Sequence, residues 1–83
     1  MTDYILLKSA ERYLERMQVN DQKRIIKALD ALVIDSTDLD IKPLKGRSEF
    51  RLRVGKYRIL FVEDSANQVY IITQIRPRGD VYK

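Results

Sequence analysis

From Glu49 to Val54 charged and apolar residues alternate without a break, Phe50, Leu52 and Val54 against Glu49, Arg51 and Arg53. Successive side chains of an extended chain point to opposite faces, so this period of two predicts a half-buried strand. The next run, Tyr57 to Val62, is apolar on both faces and predicts a strand in the middle of a sheet. Between the two stands Gly55-Lys56, and a Gly-X pair in that position is the sequence form of a type II′ hairpin turn. A two-residue loop also sets the register: Val54 faces Tyr57, Arg53 faces Arg58, Leu52 faces Ile59 and Arg51 faces Leu60. Asp64-Ser65-Ala66-Asn67 makes a second turn, and the β-branched run Val69 to Ile75 closes an antiparallel meander of three strands. Beyond it Arg76-Pro77-Arg78-Gly79-Asp80-Val81-Tyr82-Lys83 reads as an irregular tail.

The first half of the chain has a different period. Asp3-Tyr4-Ile5-Leu6-Leu7 predicts a short first strand. Ser9 then caps a helix whose apolar residues are Ala10, Tyr13, Leu14 and Met17. Asn20 caps a second helix with Ile25, Leu29, Leu32 and Val33 on one face, and Asp21 lies favourably near its positive end. Polar Asp35-Ser36-Thr37-Asp38, then Pro43 and Gly46, predict a connector from about Asp35 to Ser48. The expected architecture is α+β: an N-terminal strand, two amphipathic helices, then the three-stranded meander.

Length and composition narrow what such a domain does. Its 83 residues suffice for a single domain over 1–83. A core of that size buries only about 60% of the surface of the unfolded chain. With 45% hydrophobic against 34% charged residues, the chain is expected to be soluble, globular and not membrane-bound. It has neither cysteine nor histidine, which removes disulfides, thiolate chemistry, zinc–thiolate sites and the side chain best suited to proton transfer near neutral pH. No metal and no cofactor is expected. The lack of cysteine and of an N-terminal signal-like apolar run points to the cytoplasm. A net charge of +4 favours a polyanionic partner.

The hairpin register gathers that charge. It places Arg51, Arg53 and Arg58 on one face, while Phe50, Leu52, Val54, Tyr57 and Ile59 point to the other, beneath the helices. Arg53 directly opposite Arg58 is destabilising by some tenths of a kcal/mol, a penalty that an anion between them reverses. Gln74 and Arg76 share a face of the last strand, and Arg78 and Tyr82 follow. Guanidinium suits phosphate because it stays charged and offers parallel N–H donors. The alternative is a solvated sheet face with Glu49, Glu63, Asp64 and Asp80 as partners. Lys42, Lys45 and Arg47 form a second basic stretch, either a solvated loop or, with Lys56 in the hairpin turn, a source of general attraction to a nucleic-acid backbone. Tyr4, Tyr13, Tyr57 and Tyr70 read as packing residues.

The string Lys42-Pro43-Leu44-Lys45-Gly46, then Phe50-Arg51-Leu52-Arg53-Val54-Gly55-Lys56-Tyr57-Arg58-Ile59-Leu60-Phe61, then Asp80-Val81-Tyr82, resembles the RelE/ParE superfamily of bacterial and archaeal toxins. The resemblance implies a microbial-RNase-like RelE fold and, in the RelE branch, a ribosome-dependent endoribonuclease that cuts mRNA in the decoding site of the 70S ribosome. It also implies a cognate antitoxin protein that holds the toxin inactive. Carried over by position, the catalytic residues are Arg51, Arg53, Arg58, Arg76 and Tyr82. The RNA-binding residues are Lys42, Lys45, Arg47, Lys56, Gln74 and Arg78. The best-known members have lysines where Arg51 and Arg53 stand here, and arginine is not deprotonated in proteins, so a general base is left unassigned. Two further readings stay open: a ParE-like inhibitor of DNA gyrase, and a non-catalytic module that binds the antitoxin and regulates its operon.

Overall fold

The computed structural model describes residues 1–77. Seven elements follow in order: β1 (Asp3–Leu6), α1 (Lys8–Glu15), α2 (Val19–Ile34), β2 (Asp40–Pro43), β3 (Phe50–Val54), β4 (Tyr57–Asp64) and β5 (Val69–Pro77). The strands form one five-stranded sheet in the order β1-β5-β4-β3-β2. All neighbours are antiparallel except β1, which runs parallel to β5 with Asp3 beside Val69 and Leu6 beside Ile72.

The expected hairpin is present, with Arg53 opposite Arg58 and Val54 opposite Tyr57. Gly55 has φ +56 and Lys56 is not left-handed, as a type II′ turn requires. The apolar run on β4 does lie at the centre of the sheet.

Four expectations need correction. The connector holds a strand, β2, paired with β3 so that Asp40 faces Arg53 and Lys42 faces Arg51. An edge strand has one partner only, so Pro43 at its end costs no ladder bond. The last strand runs two residues past Ile75, taking in Arg76 opposite Arg58 and Pro77 opposite Tyr57. Since β1 flanks only Val69–Ile72, the far end of β5 has β4 as its one strand neighbour among the described residues.

Ser9 does not cap α1. The helix starts two residues earlier, at Lys8 after Leu7, and the Ser9 hydroxyl donates to the Thr73 carbonyl at 3.4 Å. Asn20 likewise lies inside the first turn of α2, after Gln18. The polar device at this corner is Gln22, whose amide donates to the carbonyls of Leu14 and Glu15 at 2.9 and 3.1 Å. Those carbonyls close α1, and that of Leu14 also accepts from the Met17 amide at 3.1 Å.

Both helices supply apolar faces to one core. Ala10 and Leu14 from α1 and Ile25, Ala28, Leu29 and Leu32 from α2 cluster with Leu52, Ile59, Phe61, Ile72 and Ile75 from the sheet. Tyrosines close its margins. Tyr13 and Tyr57 meet edge to face at 6.4 Å, and Tyr70 meets Phe61 in the same way at 5.3 Å. Among the described residues no helix is long and apolar enough to cross a membrane.

The Tyr57 hydroxyl donates to Asp21 at 2.8 Å, tying the hairpin to α2. That bond, then burial and the Asp21 charge, raises its pKa above the ordinary 10.0. The folded chain therefore holds this proton more tightly than the unfolded chain does. Its contribution is complete below about pH 10 and is lost as pH rises through the folded value. Urea midpoints measured across that range are expected to fall in the parent and to fall less in Tyr57→Phe. Some decline persists, because Tyr4 is raised too, by burial and by Asp30.

Candidate functional site

The helices cover one face of the sheet, and period two sends the intervening side chains to the other. Strand pairing lines up Asp40, Arg53, Arg58 and Arg76 in one row across β2, β3, β4 and β5. At about 4.8 Å per strand the row spans roughly 14 Å. A second row holds Lys42, Arg51, Leu60 and Gln74.

Between Leu60 and Phe61 the register slips, so that Leu60 faces Gln74 and Phe61 faces Ile72, with Thr73 as the extra residue. The bulge keeps Gln74 and Arg76 on the arginine face while Ile72 and Ile75 both stay in the core. Thr73 donates its hydroxyl within reach of Glu49 and the Leu60 carbonyl, both at 3.1 Å.

The arginines differ in exposure. Arg51 and Arg58 are buried, at 3% and 1% exposed, whereas the Arg53 side chain is 35% exposed and Arg76 lies open. Arg53 and Arg76 are thus the guanidiniums an incoming anion meets. Arg58 sits between them in the row and adds charge from a poorly screened position. Arg76 Nε donates to Gln74 Oε1 at 3.1 Å, which holds the open side chain along the sheet.

Asp40 is the acid of this cluster. Its carboxylate accepts from Arg51 Nη2 at 3.3 Å and lies 3.9 Å from Arg53 Nη1, while its own side chain is 50% exposed. Among the described residues Arg51 Nη1 and Arg53 Nε are buried without a hydrogen-bond partner. Such donors are costly to leave unsatisfied, and both belong to side chains on the arginine face.

Glu49 was anticipated as a partner on this face. It pairs with Arg47 and Thr73, with its side chain 16% exposed. Asp40 was not anticipated, because the strand that carries it went unread. The signal was there in Asp40-Ile41-Lys42-Pro43, whose alternation continues into an edge-strand proline.

The remaining basic residues divide. Lys42 shares the arginine face, opposite Arg51. Lys45 and Arg47 lie exposed in the β2–β3 turn at the margin of the sheet. Lys56 is turned to the helix side, 5.6 Å above the Tyr57 ring and 3.9 Å from Asp21. Arg78 and Tyr82 lie outside the described residues.

A five-stranded sheet covered on one face by two helices and carrying a row of arginines on the other defines a small α+β protein. Residues 4–82 match the model of the ParE toxin family of type II toxin–antitoxin systems. The chain belongs to this RelE/ParE toxin superfamily. It is 37% identical over 62 residues to a protein named toxin RelE1 from Methanocaldococcus jannaschii, covering 74% of this chain and 69% of that one.

Solved structures share the fold. The archaeal RelE–RelB complex from Pyrococcus horikoshii matches with a TM-score of 0.78 at 23% identity, over 96% of this chain and 99% of that one. The RelB–RelE antitoxin–toxin complex from Methanococcus jannaschii matches with a TM-score of 0.76 at 24% identity, over 94% of each chain. A toxin–antitoxin complex from Mycobacterium tuberculosis gives 0.79 at 20% identity, over 93% of this chain and 98% of that one.

Proposed function

We propose that this toxin is an endoribonuclease that cuts mRNA on the 70S ribosome, and that its cognate antitoxin silences it by covering the arginine face. The observation that carries the reading is the row Arg53, Arg58 and Arg76 across three adjacent strands, with Arg53 partly open to solvent and Arg76 exposed. RNA supplies its own nucleophile: the 2′-hydroxyl attacks the adjacent phosphorus and the 5′-oxygen leaves. The protein has to align the strand and stabilise the extra negative charge on the phosphorane. Three guanidiniums in a row meet both demands, and Lys42 and Gln74 in the neighbouring row provide further contacts to the backbone.

The relatives favour the partner as well, since the matching structures are complexes with RelB. On this reading the protein acts in the cytoplasm, with Lys45 and Arg47 adding general attraction to RNA. Induction in a bacterial host is expected to arrest growth, and primer extension on a translated message should show codon-phased cuts. Co-expression of the antitoxin should abolish both. Intact messages in arrested cells would reject the reading.

The name of the matching family favours a second one, inhibition of DNA gyrase. DNA damage without mRNA cleavage after induction would select it. Absence of both, with antitoxin binding retained, would leave a non-catalytic regulatory module.

A further inference from the structure

We propose that Asp40 is the general base of this site, the group that takes the proton from the attacking 2′-hydroxyl. This inference rests on the endoribonuclease reading. Proton removal needs an acceptor, and the arginines are charged donors only. Histidine and cysteine are absent from the sequence. Lys42, on the same face, brings three N–H donors and no acceptor.

Among the described residues that leaves the carboxylates on or beside the arginine face, and three of them are placed unfavourably. Glu49 is engaged by Arg47 and Thr73, with its side chain 16% exposed. Glu63 lies opposite Tyr70 at the far end of β4. Asp64 is occupied by the turn, accepting from the Asn67 amide and side chain at 3.2 and 2.8 Å. Among the described residues Asp40 alone of these carboxylates stands in the row of site arginines, and its side chain is 50% exposed.

Its surroundings suit the task. A counter-ion serving only to neutralise Arg51 would be expected to be buried with it, yet Arg51 is 4% exposed in its side chain and Asp40 is half open. One carboxylate between two guanidiniums leaves the cluster positive, so it does not repel the phosphate. The hydrogen bond from Arg51 fixes one oxygen at 3.3 Å, while the other lies 3.9 Å from Arg53.

The row also has a direction. Asp40 is at the β2 end, Arg53 and Arg58 are central, and Arg76 is at the β5 end. A phosphate held between Arg53 and Arg76, above the buried Arg58, has its 2′-oxygen toward β2 and its departing 5′-oxygen toward β5, the in-line arrangement this displacement requires. The bond from the 2′-oxygen to phosphorus forms as the O–H proton passes to Asp40. The bond to the 5′-oxygen breaks, and that oxygen takes a proton from water. The products are a 2′,3′-cyclic phosphate and a 5′-hydroxyl, and Asp40 returns its proton to solvent.

The test is single-turnover cleavage of a defined message on programmed ribosomes by the full chain and its Asp40→Asn, Asp40→Glu and Glu49→Gln variants. Asparagine keeps an oxygen for Arg51 but cannot accept the proton. Asp40→Asn should therefore cleave about 100-fold more slowly or worse. Its ribosome binding and melting temperature should stay close to those of the parent. Asp40→Glu should recover part of the rate. Should the asparagine variant fold poorly, Asp40→Ser carries the same expectation.

Cleavage by Asp40→Asn at the parental rate or faster would overturn the proposal, making Asp40 a mere competitor for the arginines. So would a loss confined to Glu49→Gln. A parent that leaves ribosome-bound message uncut would instead overturn the endoribonuclease reading, and the base with it.

Discussion

Arg53→Ala is expected to slow cleavage of ribosome-bound mRNA by about 100-fold, the scale on which one positioned donor to a developing oxyanion is lost. Stability should move the other way or not at all. Arg53 stands directly opposite Arg58, an arrangement that costs the free protein some tenths of a kcal/mol. Its compensation from Asp40 is a 3.9 Å contact to a half-exposed carboxylate, worth little in water. On the proposed reading, removing Arg53 deletes a phosphate ligand and relieves a repulsion at once. A melting curve equal to or slightly above the parent's, beside a collapsed single-turnover rate, is the expected pair of results. Arg53→Lys keeps the charge without the planar fork and should fall between the two. Parental cleavage by Arg53→Ala would show that the phosphate does not sit on this row.

The second large effect is on folding. Ile59 is wholly buried at the centre of β4, facing Leu52 on one side and Ile75 on the other. Ile59→Ala removes atoms from a place that neighbouring strands cannot close, at a cost of about 2–5 kcal/mol. Domains in general hold only about 5–15 kcal/mol, and one this small belongs to the lower part of that range. The melting temperature should drop by roughly 10 to 20 °C, with the urea midpoint falling at unchanged slope. Ile34→Ala is the control: that side chain is 82% exposed and its loss should stay within about 0.5 kcal/mol. A cost below about 1 kcal/mol at Ile59 would mean that the sheet repacks far more freely than a close-packed interior does.

The parts of the fold that could be read in advance are those governed by local chemistry. Gly55-Lys56 admits essentially one hairpin, and that hairpin sets every pairing from Phe50 to Phe61, including the two facing arginines. Helix periodicity likewise identified Leu14, Ile25, Leu29 and Leu32 as core residues. What escaped depends on partners distant in sequence. A strand of four residues carrying one buried-side apolar position, Ile41, has too short a pattern to stand out from a loop, and its existence rests on pairing with β3. Asp40 was missed with it. The helix starts shifted because Gln22 bonds across to α1 and Ser9 bonds across to β5, contacts that no local capping rule contains. The bulge at Thr73 is equally hidden, since a plain period of two along β5 gives no sign that Thr73 and Gln74 share one opposing residue.

The parallel seating of β1 beside β5 sets the order in which the molecule is completed. Asp3 and Val69 are neighbours in space although nearly the whole described chain separates them. Contacts of such long sequence separation form slowly, because a large loop must close before they contribute. During synthesis the first strand to emerge is the last to find its place, and Arg76 joins the arginine row only when β5 has been made. Until β5 has been made, the row of guanidiniums on the open face of the sheet therefore lacks its outer member.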